Sequence, residues 1–271
     1  MAKKNKDANA PLDPTARQME KYSVKTNSKQ INKREALIRI LTIILIILLL
    51  FLFGLFACTT YIQNGNFTVT IDSDSFKGGI GLSETGDFAK PQRSLQGGKF
   101  ENMKEGTFPL IPNEIADKTG TNKFTTDEGM CFYTYSFFVK NIGEDDGAYS
   151  SKINLESATQ GADEAMRVMV IRDSTPYNAE DREMSEVTVF AKPQIDTKNV
   201  LEVYADKNFV SSRCVAKINN DDFTAGTVEK ITVVIWFEGE DPECVDDILE
   251  GEVKLSMDLR IIDKQDSNNE A

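Results

Sequence analysis

The chain has 271 residues, with 43 Asp and Glu against 31 Lys and Arg, and it contains no histidine. Without histidine there is no Ser-His-Asp triad, no imidazole general acid–base chemistry and no histidine ligand for zinc. The formal charge of −12 is split unevenly: residues 1–39 carry ten basic and four acidic side chains, a local +6, and the remainder carries −18.

Residues 1–35 lack a sustained apolar pattern and are rich in Lys, Asn, Asp and Gln. They read as a disordered, basic cytoplasmic tail. The stretch from Ile40 to Ala57, ILTIILIILLLFLFGLFA, has no charge, and its single polar side chain is Thr42. At ~1.5 Å per residue it approaches the ~30 Å of bilayer hydrocarbon. A helix satisfies its own backbone in lipid, so a transmembrane signal-anchor helix is expected over residues 36–61, with the bilayer as its partner. The basic flank marks the cytoplasmic side, which puts the N-terminus inside and the C-terminal body outside the cell. Two readings compete with the anchor. One is a cleaved secretory signal; the other is a lipoprotein, because Leu55-Phe56-Ala57-Cys58 resembles a lipobox. A 39-residue charged leader is long for either, and Phe56 is unusual two places before a lipidated cysteine. In the anchor reading Cys58 is a small apolar residue at the membrane edge.

Residues 62–265 are expected to form an extracellular domain, followed by a frayed tail at 266–271. Segment 66–71 (NFTVTI) alternates as a strand, and 80–82 suggests a second. Residues 84–128 are rich in Gly, Pro, Lys and Thr and read as a long irregular connection. From 130 the pattern is strongly β. Cys131, Tyr133, Tyr135, Phe137 and Val139 share one face of a strand, and 143–147 is a turn. Further strands are expected at 149–155, 165–171, 186–190, 200–204, 208–218, 228–237 and 251–262. A turn is expected at 219–222. Asp241, Pro242 and Gly251 suit the cap, first position and end of a helical turn. Many short strands without strand–helix alternation define an all-β class, here a jelly-roll-like β-sandwich behind a single transmembrane helix.

The strongest candidate for ion binding is the 238–247 loop. Glu238, Glu240, Asp241, Asp246 and Asp247 supply carboxylates of the kind that bind Ca²⁺. None matches EF-hand spacing, and solvated turns on an acidic surface are the simpler reading. Ca²⁺ is the one cofactor the sequence suggests, and no confident metal site stands out. Trp236 either packs beneath this loop or offers an exposed aromatic to a ligand. Cys214 and Cys244 are the candidate disulfide, closing a loop of about 30 residues worth ~3–4 kcal/mol in the chain-entropy model. Cys131 is expected as a buried free thiol. No motif marks a nucleophile, so no enzyme is expected. The acidic body repels nucleic-acid phosphates.

Segments 131–173 and 228–259 carry a family likeness, through the strand-plus-turn around Asn141 and Gly143 and through WFEGEDPEC at 236–244. They resemble anchored Gram-positive surface β-sandwich proteins and, more loosely, the camelysin and biofilm-fibre (TasA-like) family. The resemblance implies a β-sandwich, export and, for some members, assembly into fibres. Camelysin-like enzymes are described as metalloproteases, an activity that a chain without histidine or HExxH does not support. The expected function is therefore a non-enzymatic, membrane-anchored cell-surface module that self-associates in the envelope or extracellular matrix. The alternative is an adhesin-like or ligand-sensing ectodomain that binds a protein or glycan.

Overall fold

The computed structural model describes residues 14–63, 66–99, 103–107, 118–126, 129–173, 176–178, 184–194 and 200–262. The chain divides into two compact units, Met1–Gln63 and Asn64–Ala271. The expected frayed tail at 266–271 lies outside the described residues.

The first unit is helix α1 (Pro14–Gln63), 50 residues long, or about 75 Å at helical rise. Within it, Arg34–Gly54 is long and apolar enough to cross a membrane. Side chains 34–54 are exposed throughout. The helix begins well before the apolar run, so residues 14–35 are helical where the sequence suggested disorder. Pro14 suits a first helical position. The segment then lacks Gly and further Pro. Extending an existing helix avoids the cost of nucleating one.

The second unit contains β1 (Phe67–Ile71), α2 (Ser73–Lys77), β2 (Ile80–Ser83), β3 (Ser94–Gln96), β4 (Glu105–Gly106), β5 (Gly120–Thr126), β6 (Gly129–Asn141), β7 (Gly147–Ala158), β8 (Met166–Asp173), β9 (Met184–Ala191), β10 (Lys207–Asn208), β11 (Cys214–Phe223), β12 (Val228–Glu238), α3 (Asp246–Leu249) and β13 (Val253–Ile262). They form two mixed sheets. The first runs β11-β7-β13-β1-β3 and the second β10-β9-β8-β12-β6-β2, with β4 added to β12 and β5 to β6. β1 and β13 pair in parallel, Val69 opposite Met257. Most other pairings are antiparallel.

Apolar side chains of both sheets merge in one buried cluster. Phe67 of β1 meets Tyr135 of β6 edge-on at 5.8 Å between ring centroids. Tyr149 of β7 reaches Glu229 of β12. Burying aromatic and β-branched faces against each other is the main stabilising term. Where α2 meets the turn after β6, the Gly79 carbonyl accepts from the amides of Ile142 and Gly143. Gly79 has φ 105°, and a Cβ there would sit 2.6 Å from Gly143. Both the angle and the approach require glycine.

Several elements depart from the sequence reading. Residues 200–204 form no strand; they turn across the second sheet, with Tyr204 at φ 58°. The strand expected at 208–218 starts at Cys214 and continues to Phe223. The expected turn at 219–222 is thus inside β11, where Asn219 and Asn220 still pair with Ser150 and Tyr149 before a register shift. The chain reverses instead around Gly226, at φ 79°. The irregular 84–128 connection contributes β3, β4 and β5 among its described residues. The helical turn capped by Asp241 is replaced by α3, whose N-cap Val245 makes no side-chain cap bond.

Candidate functional site

The acidic loop leaves β12 at Glu238, which is fully buried although ionisable. Its two oxygens are committed locally: Trp236 Nε1 donates to Oε2 at 3.0 Å and the Glu240 amide to Oε1 at 3.1 Å. Asp241 Oδ2 accepts from Arg167 Nη2 at 2.7 Å, both side chains being fully buried. Asp241 Oδ1 accepts the Glu243 amide at 2.9 Å. Arg167 Nε also donates to the Val203 carbonyl at 3.0 Å. Arg167 lies opposite Trp236 in the sheet, so segments 203 and 241 are tied onto the Trp236 face. Glu240 accepts from Tyr204 Oη at 2.9 Å. Asp246 and Asp247 are exposed in the first turn of α3, a favourable place for negative charge.

The five carboxylates proposed for Ca²⁺ are therefore divided among Trp236, Arg167, Tyr204 and the first turn of α3. Among the described residues, no group of three or more Asp, Glu or Cys side chains is arranged to hold a metal ion. Burial pushes the Glu243 carboxyl above its ordinary range, and the neighbouring charges of Asp241, Glu164 and Glu202 add to the shift. Trp236 is completely buried and packs on Phe132 with ring centroids 6.1 Å apart. Of the two readings of Trp236, the packed one holds.

All three cysteines of the β domain are free thiols, so the expected Cys214–Cys244 bond is not formed. Their surroundings explain this. Cys214 opens β11 beside Lys152 and Lys217. Cys244 sits near Glu105, Asp241 and Glu238. The acidic loop packs against the 203–204 segment, not against β11 as expected. Burial raises the Cys244 thiol to about 11. Cys131 is buried and unbridged, as the strand pattern suggested.

A second buried polar centre lies between the sheets. The Glu229 carboxylate accepts Tyr149 Oη at 2.6 Å, Arg172 Nε at 2.6 Å and Asn220 Nδ2 at 2.7 Å. Arg172 also meets Glu186 at 3.1 Å. Burial and Glu229 together raise the Tyr149 phenol well above its usual value. Three donors from three different strands satisfy a charge that would otherwise be costly to bury. These links pin β7, β8, β11 and β12 together. Sequence reasoning missed both centres. The signal was available in a charge set on an inward or apolar register: Glu229 alternates with Ile231 and Val233, and Arg167 interrupts AMRVMVI.

Comparisons with protein-family models, with curated proteins and with solved structures find no match. The class defined by the structure itself is a two-sheet β domain following one long apolar helix.

Proposed function

We propose that this chain is a non-enzymatic, membrane-anchored cell-surface module whose jelly-roll-like β-sandwich self-associates by adding strands at an open edge. The apolar part of α1 anchors it, N-terminus inside and β domain outside, in keeping with the +6 and −18 charge split. The observation that carries the reading is the outer edge of β9. Of its eight residues, Phe190 and Ala191 pair with β10. Val189 exchanges bonds with Asp206. Residues 184–188 have no strand beyond them among the described residues, and Val187 is 45% exposed. A strand edge with no neighbour beyond it among the described residues is a template for another strand, and Val187 puts an exposed apolar side chain on it.

Electron microscopy of the full chain in detergent tests this. The wild-type chain should form ordered oligomers or fibres, and Val187→Lys should leave dispersed particles, because a charged edge opposes pairing. A wild-type chain that stays monomeric at every concentration, or a V187K chain that assembles equally well, overturns the reading.

A further inference from the structure

The second sheet ends on one side in β9, bare over residues 184–188, and on the other in β5, which pairs with β6 alone among the described residues. Each bare stretch carries one charge. In β9 it is Glu186, whose side chain is 45% exposed and shares Arg172 with the buried Glu229. In β5 it is Lys123, which is exposed and makes no hydrogen bond or ion pair among the described residues. A lysine on an edge discourages pairing with an apolar or cationic strand and favours a strand that presents a carboxylate opposite it.

The two charges lie on the same face of the sheet. Glu186 is level with Arg172 and Ile231, and Lys123 with Tyr133 and Ile235. Ile231 and Ile235 are an even number of residues apart on one strand and so share a face. Every pairing on the path from β9 through β8, β12 and β6 to β5 is antiparallel, so β9 and β5 run in the same direction.

Pairing of β9 with a second β9 is opposed. A twofold pair using the whole of 184–188 is centred on Glu186 and sets that carboxylate against its own copy, where like charges are destabilising. Shifting the centre to Val187 draws in Val189, whose amide and carbonyl already bond Asp206. The edges of the first sheet also fit less well. β3 has three residues and no charge, and β11 carries the exposed Asp221 and Asp222, acidic like β9.

We infer that β9 of one copy adds in parallel to β5 of the next, with Glu186 beside Lys123 on one face and Val187 beside the half-buried Phe124 on the other. The inference rests on the strand-edge reading and names the surface that β9 meets. A contact between two different edges does not close on itself, so it builds an open filament, not a dimer. Because Glu186 and Lys123 stand four residues apart in level, successive copies step by ~13 Å along the strand direction.

Sedimentation of the full chain in detergent, just above the concentration at which the wild type associates, tests the pairing. Lys123→Glu replaces attraction by repulsion and should weaken self-association about tenfold. K123E and V187K should therefore each stay monomeric alone. K123E keeps an intact β9 edge and V187K an intact β5 edge, so an equal mixture should form one-to-one pairs and nothing larger. K123E that associates as the wild type does, or a mixture that stays monomeric while the wild type associates, overturns the β9–β5 contact and leaves the strand-edge reading standing. A wild-type chain that never associates overturns both.

Discussion

β13 and β12 have ten and eleven residues, and both are interior strands of their sheets, yet their surroundings differ. β13 buries Val253, Leu255, Met257 and Leu259 and turns Lys254, Ser256, Asp258 and Arg260 outward. β12 is buried along nearly its whole length, on both sides. The difference lies in what covers the outer face. On the first sheet that face carries charged and polar side chains of both signs, among them Lys152, Arg260 and Asp258, around a hollow of about 360 Å³. On the second, the 203–204 turn and the loop after β12 fold over it and are fastened by Arg167 and Asp241. A sheet face that is closed over carries stability, whereas one left open is free to carry recognition.

The sharpest way to break this contrast is to unfasten the closed face. Arg167→Met leaves Asp241 buried without its partner and should cost about 3–5 kcal/mol, read by urea unfolding. The matched change on the open face, Ser256→Thr, should stay within about 0.5 kcal/mol. Similar costs for the two would mean that the loop does not seal the second sheet.

A smaller effect probes the space between the sheets. Tyr149→Phe removes one of three donors to Glu229 and should cost about 1–3 kcal/mol. Its pH dependence has a definite sign. The folded pKa of Tyr149 is raised above the usual value of 10.0. Its contribution is therefore complete below about pH 10 and declines above it, as the unfolded phenol ionises while the folded one stays neutral. The stability gap between wild type and Y149F, measured by urea unfolding at stepped pH, should narrow above about pH 10. A gap that stays constant or widens would contradict the burial of this hydroxyl.

What could be read from the sequence follows the same division. The alternation of β13 was legible from Val253 to Arg260, because one side faces water, but Ile261, which continues the inward series in the sequence, is 38% exposed. The one-face reading of β6 was half right. Cys131, Tyr133, Tyr135, Phe137 and Val139 are buried, but so are Phe132, Thr134, Ser136 and Phe138 between them. Period-two patterning does not reveal a strand covered on both sides. Ser136 and Thr232 look like solvent-facing polar positions, yet they bond each other at 2.8 Å in the interior. Asn219 to Asp222 carried turn composition, but Asn220 serves Glu229 from within a strand. The acidic loop was recognisable as special, but its role was not. Carboxylates clustered in sequence are separated in space by partners as distant as Arg167 and Tyr204. The hollow on the first sheet joins Arg93, Lys152 and Arg260 from three distant segments, and no local pattern announces it.

The central claim is that chains meet along β9. Amide hydrogen exchange of the full chain in detergent, measured across a dilution series, tests it most directly. The account predicts that the Val187 amide, which points away from β8 as the Val189 amide does, exchanges quickly in dilute samples and becomes protected as the concentration rises, while β13 amides, in a strand paired on both sides, do not change. Fast exchange at Val187 in samples that have demonstrably associated would contradict it.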